Sequence, residues 1–327
     1  MENQKIFDQT IKELETQFGK GSIMSLDNSK AIHCEVISSG SINLNKTIGV
    51  GGYPKGRIIE IYGNESSGKT TLALQAVAQC QKAGGKCAYV DVEHALDSKY
   101  CIANGVDTKK LLLAQPETGE QSFAIVEALI KTNMIDLIIV DSVAALVPEA
   151  ELNGEYEDQN IGLHARLMSK GLRILQTVMA KYKTTVIFIN QIREKVGILF
   201  GDNKTTPGGW AMKFYSSLRI ELKRIETLKS GTNIIGIRSL ARVVKNKVAP
   251  PMQSCYLDIY FNKGFDNVAE IIENAIASNI IQKSGSWFYY GESKLAQGKE
   301  GTIKFLTDEK NKKIFAEITK LVLKPNN

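Results

Sequence analysis

Apolar runs separated by stretches with helical spacing dominate the first two thirds of the chain. They predict strands over 57–62, 86–92, 135–140 and 184–190, with helices over 70–82 and 120–131. The strand segments are almost continuously apolar, which is typical of parallel strands covered by helices on both faces. This pattern predicts an α/β fold with a mostly parallel central sheet.

The pattern changes in the last third of the chain. Segments 218–225, 241–247 and 256–261 are strand-like with no helix between them, which predicts an antiparallel extension of the sheet. From residue 267 helix and strand mix around an aromatic run, so we expect a small α+β domain there. The predicted organisation is an N-terminal segment over 1–30, a core over 31–267 and a C-terminal domain over 268–327.

The first segment predicts an amphipathic helix over residues 3–18. Its apolar residues recur at near-helical spacing, and Gly19 follows as a stop. Such an apolar stripe needs a surface to cover it. The pattern alone leaves two interpretations open: the helix packs on its own domain, or it packs on a neighbouring subunit.

The composition is that of an ordinary globular protein. The 327 residues are 43% hydrophobic, and 41 basic against 35 acidic side chains give a net charge of +6, which permits a polyanionic partner without establishing one. No apolar run reaches the roughly 18 residues that span a bilayer, and no secretion signal is recognisable. Five cysteines without a Cys-x-x-Cys pair fit a reducing cytosol. We expect a cytoplasmic protein without a membrane partner.

The strongest local signal is the segment Gly63-Asn-Glu-Ser-Ser-Gly-Lys-Thr70. It matches the phosphate-binding pattern G-x-x-x-x-G-K-[ST], with a predicted strand before it and a predicted helix after it. The glycines let backbone N–H groups turn toward phosphate oxygens, and the helix adds a positive N-terminal dipole. Lys69 is expected to reach the β- and γ-phosphates, and the Thr70 hydroxyl to ligate Mg²⁺.

Three polar residues follow predicted parallel strands, so their side chains are expected at the carboxyl edge of the sheet, near the phosphates. There Asp141 is suited to holding Mg²⁺ through water, Glu93 to orienting and deprotonating a water, and Gln191 to sensing the γ-phosphate. Each of them has a plainer interpretation as a solvated side chain after a strand, and spacing alone leaves that alternative open.

Two further stretches have the composition of nucleic-acid-binding loops. Residues 191–210 combine cations, glycines and apolar side chains, and residues 153–161 run into a predicted helix on which Arg166 and Arg173 share a face. The alternative is a pair of surface loops without a ligand.

Lys245 and Lys247 alternate along the strand predicted over 241–247 and are therefore expected on one face. Adjacent lysines repel unless an anion lies near them. They belong either to a solvated edge strand that discourages aggregation or to a pair that meets the γ-phosphate of a neighbouring subunit.

Taken together, several segments resemble the RecA family of bacterial recombinases. The similarity runs in order from about residue 3 to about residue 323, with little insertion. It rests on Phe18-Gly-Lys-Gly-Ser-Ile-Met24, Gly63-Asn-Glu-Ser-Ser-Gly-Lys-Thr-Thr71, Asp91-Val-Glu-His-Ala-Leu-Asp97, Val140-Asp-Ser-Val-Ala-Ala-Leu146, Phe188-Ile-Asn-Gln-Ile-Arg193, Thr205-Thr-Pro-Gly-Gly209, Lys213-Phe-Tyr215 and Val243-Val-Lys-Asn-Lys247.

The resemblance implies a P-loop NTPase core of the RecA-like type and a DNA-dependent ATPase. Such a protein coats single-stranded DNA as a helical homopolymer, pairs it with homologous double-stranded DNA and exchanges the strands. The resemblance also implies that the N-terminal helix docks on the adjacent subunit. A LexA-type repressor, whose self-cleavage the filament triggers in the SOS response, is a further implied partner.

Roles at the ATP site are implied as well. Glu93 resembles the catalytic base, Gln191 the γ-phosphate sensor, and Lys245 and Lys247 the lysines that reach ATP across the subunit boundary. Phe214 resembles an interface residue that relays ATP binding. The implied binding set for ATP and Mg²⁺ is Gly63, Asn64, Glu65, Ser66, Ser67, Gly68, Lys69, Thr70, Thr71, Asp97, Tyr100, Asp141 and Ser142.

The implied DNA-binding residues fall into three groups. Those that hold the primary strand are Arg166, Ser169, Arg173, Arg193, Gly208 and Gly209. Ile161 and Val196 resemble the apolar residues that wedge between base triplets, and the secondary duplex-binding region contains Lys223, Arg224 and Arg242.

The chain also departs from the family pattern. Leu240 stands where an arginine is usual in the secondary DNA site, which bears on the strength of duplex capture. Glu157, Asn160, His164 and Trp210 are unusual too. The acidic C-terminal tail that is common in the family is absent from this sequence. Because that tail restrains duplex binding in the family, we expect the binding of duplex DNA to be less inhibited here. Two rival functions remain open from the sequence: a ring-forming helicase with the same core, and a filament that serves mainly as a scaffold for repressor cleavage.

Overall fold

The computed structural model of the chain describes residues 2–19, 22–23, 34–155, 157, 160, 162–194, 204–261 and 263–323. The chain divides into two compact units, Met1–Glu35 and Val36–Asn327. The first unit contains the predicted helix, α1 (Glu2–Phe18). Ile6 and Phe18 on this helix are exposed.

The second unit alternates helices and strands along most of its length. Its helices are α2 (Ile42–Ile48), α3 (Lys69–Lys82), α4 (Ser98–Ala103), α5 (Gly119–Lys131), α6 (Glu149–Leu152), α7 (Leu163–Met179), α8 (Gly209–Tyr215), α9 (Asn267–Ala277), α10 (Gly298–Thr307) and α11 (Lys312–Leu323). Its strands are β1 (Val36–Ile37), β2 (Tyr53–Pro54), β3 (Ile58–Gly63), β4 (Cys87–Asp91), β5 (Leu111–Ala114), β6 (Leu137–Asp141), β7 (Thr185–Gln191), β8 (Arg193–Glu194), β9 (Lys204–Thr205), β10 (Leu218–Ser230), β11 (Asn233–Asn246), β12 (Ser254–Tyr260), β13 (Gly264–Phe265), β14 (Gln282–Ser284), β15 (Trp287–Tyr290) and β16 (Ser293–Gln297).

A nine-stranded mixed sheet organises this unit. Its strand order is β13-β12-β11-β10-β3-β7-β6-β4-β5. The strands from β10 to β5 run parallel to their neighbours, whereas β10, β11, β12 and β13 pair antiparallel. The predicted parallel core with an antiparallel extension is confirmed.

Each central strand contributes to two hydrophobic cores. In β6, Leu137 and Ile139 pack in the cluster that contains α3, whereas Ile138 and Val140 pack with residues of α5 and α7. Because side chains alternate between the faces of a strand, a strand covered by helices on both faces is mostly apolar at successive positions. That tendency explains the nearly continuous apolar runs of the sequence.

The C-terminal part has a third apolar cluster. The sheet β14-β15-β16 packs there with α9, α10 and α11, which confirms the small α+β arrangement predicted from the pattern. Glu270 on α9 joins it to the start of α2, because its carboxylate accepts hydrogen bonds from Ser41 Oγ at 2.7 Å and from the Ile42 N–H at 2.6 Å. The division into segments 1–30, 31–267 and 268–327 stays a prediction.

The hairpin of β10 and β11 is longer than predicted. β10 continues to Ser230, and β11 begins at Asn233 after a turn in which Gly231 has a φ of +60°. Beyond Leu222 the side chains of β10 are mostly exposed or half-buried. Strand β10 therefore continues where its burial, and with it its apolar run, has ended.

The end of β11 also differs from the prediction. Asn246 Oδ1 accepts hydrogen bonds from the backbone N–H groups of Val248 at 3.0 Å and Ala249 at 3.2 Å, and this turn ends the strand. Lys247 therefore lies one residue past the strand that contains Lys245, and not within it as predicted. None of the helices in the described ranges has the length and apolar character needed to cross a bilayer.

Candidate nucleotide site and nucleic-acid surface

The loop between β3 and α3 has two positions where a side chain would collide with a neighbouring strand. A Cβ atom at Gly63 would lie 2.2 Å from the carbonyl oxygen of Leu222, and one at Gly68 would lie 2.2 Å from Ile259 Cδ1. Gly68 also has a φ of +93°, in the left-handed region. The glycines of the phosphate-binding pattern are therefore required by the close approach of β10 and β12.

The loop presents groups that suit an anion. Lys69 Nζ donates to the carbonyl oxygen of Asn64 at 2.8 Å, and burial lowers the pKa of its ammonium group. Ser67 Oγ is buried without a hydrogen-bond partner among the described residues. A phosphate accepts hydrogen bonds from ammonium and hydroxyl groups alike. The residues of this loop therefore fit the phosphates of a nucleotide.

Asp141 ends β6 beside the loop. Its Oδ2 accepts hydrogen bonds from the Tyr89 hydroxyl at 2.6 Å and from Thr70 Oγ1 at 3.2 Å. Burial raises the pKa of this carboxyl group to about 6, and the Tyr89 hydrogen bond opposes the shift. A divalent cation favours the ionised carboxylate, and hydroxyl and carboxylate oxygens are ligands that Mg²⁺ accepts. Thr70 and Asp141 therefore fit the Mg²⁺ role predicted for them.

Glu93 and Gln191 meet at the carboxyl edge of the sheet. Ser142 Oγ donates a hydrogen bond to Glu93 Oε1, and Gln191 Nε2 donates to the same oxygen at 3.3 Å. Glu93 is exposed, whereas Ser142 is buried. The ends of β4, β6 and β7 thus bring together the three side chains that the strand-end pattern predicted near one another.

Asp97 and Tyr100, which the resemblance assigns to adenine, lie at the start of α4. Asp97 Oδ1 accepts a hydrogen bond from the Tyr100 N–H at 2.7 Å and so caps the helix. The Tyr100 hydroxyl lies 2.5 Å from Thr71 Oγ1. Tyr100 therefore contacts the first turn of α3, and its role toward adenine stays a prediction.

One exposed face of α7 carries three of the predicted DNA-binding residues. Arg166, Ser169 and Arg173 are exposed, whereas Leu167 and Leu172 on the other side are buried in the core. The spacing of three and four residues places the exposed side chains in one row along the helix. Its two arginines make this row a cationic surface, on a helix near the middle of the sequence.

The start of α8 lies against α7. A Cβ atom at Gly209 would be 3.4 Å from Ala165 Cβ, and one at Gly208 would be 3.3 Å from Met168 Cγ. Gly208 and Gly209 have φ angles of +90° and +64°. Gly209 is therefore exposed beside Ala165 of α7, whereas Gly208 is buried against the core side of that helix.

Arg193 lines one cleft together with His164 on α7 and Pro207. It is exposed in β8, where it pairs with Thr205 of β9. Ile161 and Val196 lie outside the described residues.

The residues of the predicted secondary site lie on the long hairpin and are exposed. Lys223 pairs with Leu240, and Arg242 pairs with Glu221. Arg224 Nη2 donates to Thr227 Oγ1 at 2.7 Å. Leu240 therefore stands directly across from one of the hairpin lysines.

Lys245 makes its hydrogen bonds with α8. Its Nζ donates to the carbonyl oxygens of Lys213 at 2.6 Å and Phe214 at 3.0 Å. Burial first, and then the neighbouring charge of Lys247, lower the pKa of Lys245. Lys247 and Phe214 are exposed, the latter by 70%. Within one chain, Lys245 thus holds the C-terminal end of α8.

Sequence reasoning missed a buried polar cluster beneath the site. Asn190 Nδ2 donates to Glu60 Oε1 at 2.9 Å and to the carbonyl oxygen of Pro207 at 3.1 Å, and Arg219 Nε donates to Glu60 Oε2 at 2.5 Å. Glu60 and Asn190 are fully buried. The polar residues within the apolar strand segments were the signal that could have revealed this cluster. Tyr89 was a signal of the same kind for the Asp141 site, because it places a hydroxyl group within an apolar strand segment.

Replacing Tyr89 by Phe should weaken the Asp141 site without unfolding the protein. A lost hydrogen bond to a charged group costs about 1.5–3 kcal/mol, so the Mg²⁺ concentration for half-maximal binding of a nucleoside triphosphate should rise roughly tenfold or more. Tyr53→Phe is the matched control, because the Tyr53 hydroxyl is buried without a hydrogen-bond partner among the described residues. Mg²⁺ titrations of nucleotide binding measure the effect, and an unchanged requirement in Y89F contradicts it.

Two family models together match nearly the whole chain. The family model for the RecA N-terminal domain matches residues 5–266, and that for the RecA C-terminal domain matches residues 269–326.

Three relatives, each named Protein RecA, are similar over nearly the whole length. The protein of Malacoplasma penetrans is 58% identical over 322 residues, which cover 98% of this chain and 96% of the relative. That of Mycoplasma mycoides subsp. mycoides is 51% identical over 98% of this chain and 94% of the relative, and that of Bacillus subtilis is 50% identical over 95% and 89%. The chain therefore belongs to the RecA family of DNA-repair recombinases, which are in general DNA-dependent ATPases.

Proposed function

We propose that this chain polymerises on single-stranded DNA in the presence of ATP, pairs it with homologous duplex DNA and exchanges the strands. The observation that carries the proposal is the hydrogen bond from Gln191 Nε2 to Glu93 Oε1 at 3.3 Å. This hydrogen bond joins Glu93, the carboxylate proposed for hydrolysis, to Gln191, which directly precedes the segment 192–207 with its proposed DNA-binding groups. Nucleotide state and DNA binding would thereby be connected within one chain.

In the proposed hydrolysis, Glu93 accepts the proton of the attacking water. Ser142 Oγ and Gln191 Nε2 both donate to Glu93 Oε1, which orients the carboxylate and lets Oε2 face the water. Lys69 exchanges the carbonyl oxygen of Asn64 for phosphate oxygens and stabilises the charge that develops on them.

Mg²⁺ would be held by Thr70 and, through water, by Asp141. When bound, it supplies charge neutralisation at the phosphates. Tyr89 keeps Asp141 oriented toward Thr70.

Both ends of segment 192–207 attach to the edge of the sheet where ATP would bind. Gln191 precedes one end, and Asn190 Nδ2 donates to the carbonyl oxygen of Pro207 at the other, just before Gly208. Loss of the γ-phosphate would change the partner of Gln191 and, through β7, shift both ends. By linkage, DNA must then strengthen ATP binding by the same factor by which ATP strengthens DNA binding.

The filament is proposed to place ATP at a junction between subunits. Lys245 and Lys247 of one subunit would reach the γ-phosphate held by the next, and the N-terminal helix would dock on its neighbour. To do so, Lys245 must leave the carbonyl oxygens of Lys213 and Phe214, which frees the end of α8. A head-to-tail contact that does not close produces an open helical polymer.

Two further activities are proposed on the family resemblance. Lys223, Arg224 and Arg242 on the hairpin, with the C-terminal domain, would bind the incoming duplex. The filament would also serve as a scaffold for self-cleavage of a LexA-type repressor in the SOS response, which a cleavage assay with such a repressor tests.

Strand exchange between homologous single-stranded circles and linear duplexes tests the main proposal. With ATP and Mg²⁺ we expect joint molecules, and none with ADP or with heterologous duplex. ATP turnover that single-stranded DNA leaves unchanged, together with an absence of joint molecules, would refute it. Ring particles that translocate would instead support the helicase.

Replacing Glu93 by Gln should stop hydrolysis and preserve ATP-dependent DNA binding. Loss of a general base typically slows a reaction by about 10²–10⁴-fold, whereas the uncharged amide leaves phosphate binding intact. Glu127→Gln on α5, which only breaks an ion pair with Lys131, is the control. Turnover and filter binding measure the two properties, and the assigned role is wrong if E93Q also loses DNA binding.

Mixing two inactive variants tests the junction between subunits. Lys69→Ala spoils the phosphate loop, and the double variant Lys245→Ala with Lys247→Ala spoils the lysine pair. In a random mixed filament about a quarter of junctions combine an intact loop with an intact pair, so about a quarter of the activity should return. A mixture of K69A with E93Q should stay inactive, because both defects lie on the same side. No recovery in the first mixture would contradict the proposal that the lysine pair acts on the nucleotide of a neighbouring subunit.

A further inference from the structure

Trp210 has a more exposed side chain than any other large hydrophobic residue in the part of the chain that the structure describes. Its side chain is 81% exposed, at the start of α8. Tryptophan combines a large apolar surface with a polar N–H group and carries much of the binding energy where it lies in interfaces. An indole left almost wholly in water therefore marks a candidate contact surface.

The position of Trp210 gives that surface a partner. It directly follows Gly209, where a Cβ atom would lie 3.4 Å from Ala165 Cβ on α7. The exposed row that begins with Arg166 also lies on α7. Trp210 thus stands at the rim of the surface that the proposed function assigns to single-stranded DNA.

Charge around the indole favours a polyanion. Lys213 Nζ lies 4.9 Å from the centroid of the Trp210 ring. Lys213 also lines a cleft with Arg219 and Arg242 on the hairpin, where these three cations outnumber the one carboxylate in the lining, Glu221. Single-stranded nucleic acid is held by this combination, in which cations follow the backbone and an aromatic ring stacks on a base.

We propose that Trp210 stacks on a nucleobase of the bound single strand and is a DNA-binding residue in its own right. The inference rests on the proposed function, since it takes the α7 and α8 surface to be the DNA surface. A ring stacks on any base, so the contact should strengthen binding without sequence preference. The rival occupant is a neighbouring subunit, because Phe214 lies one helical turn from Trp210 and is also exposed.

Fluorescence separates these occupants, because the chain has two tryptophans, Trp210 and Trp287. Trp287→Phe leaves Trp210 as the single emitter. With a slowly hydrolysed ATP analogue, adding an oligodeoxythymidylate should quench that emission to a stoichiometric end point. Assembly without DNA, produced by raising the protein concentration, should leave the emission unchanged. A change on assembly that DNA does not increase assigns Trp210 to the subunit contact and overturns the proposal.

Affinity provides the second measurement. Stacking is worth about 1–3 kcal/mol per base, so Trp210→Ala should bind oligodeoxythymidylate at least about fivefold more weakly, and Trp210→Phe should recover most of the loss. On an abasic oligomer of the same length, W210A and the parent should bind alike. Tyr256→Ala, which removes an exposed aromatic ring from β12, should bind both oligomers like the parent.

The two experiments keep this inference distinct from the function on which it rests. If the parent protein binds oligodeoxythymidylate only with ATP, but neither quenching nor a loss in W210A is seen, the stacking role is wrong and the function stands. If the parent fails to bind the oligomer in any nucleotide state, the function itself is refuted. An equal loss on thymidylate and abasic oligomers would assign Trp210 to the DNA backbone and overturn the stacking role.

Discussion

A buried carboxylate in the middle of the sheet constrains the edge where the proposed chemistry lies. Glu60 on β3 is fully buried, and removing one partner of a buried ion pair costs about 3–5 kcal/mol. Its two oxygens are satisfied by Arg219 on β10 and Asn190 on β7, so three adjacent strands are held in one alignment. Asn190 also binds the carbonyl oxygen of Pro207, and its Oδ1 accepts a hydrogen bond from the Gln191 N–H at 2.9 Å. The same cluster that aligns the sheet therefore fixes both ends of the segment beside the nucleotide site.

The sequence predicts the parts of the fold that burial controls. Strands covered on both faces are mostly apolar at successive positions, so β3, β4, β6 and β7 could be found to within about two residues. At the edges of the sheet the side chains are less buried, so the apolar pattern gives no comparable signal for a strand. β5 is an edge strand, where Leu112 and Leu113 are about half exposed. The helices α2 and α4 were missed because seven and six residues are too few for a helical period to show. Strand β10 continues beyond Leu222 with exposed and half-buried side chains, held by its backbone pairing with β11, which leaves no trace in the apolar pattern of β10.

The nucleotide site was predictable because parallel strands end at one edge. That rule alone brings Glu93, Asp141 and Gln191 together, and their contacts follow it. Tyr89 escapes the rule because its ring is buried within β4 like any core residue, and only its hydroxyl reaches Asp141. The roles proposed for Lys245 and Phe214 would belong to a junction between two chains. A single chain instead joins these residues to each other through the end of α8, which no spacing argument could reveal.

Helix α8 connects the two ways in which ATP could act on DNA. It is seven residues long, with Gly208 and Trp210 at its start and the Lys245 hydrogen bonds at its end. A short helix moves as a rigid body, so withdrawal of Lys245 toward a neighbour's nucleotide would also move its start. A nucleotide bound by the chain itself would act on the same point by another route, through the hydrogen bond from Asn190 to the carbonyl oxygen of Pro207. Each DNA-binding surface would then respond to two nucleotides, one held by its own subunit and one by the next. Such a shared element makes neighbouring subunits change state together, which is the behaviour a polymer needs to grip a strand along its whole length.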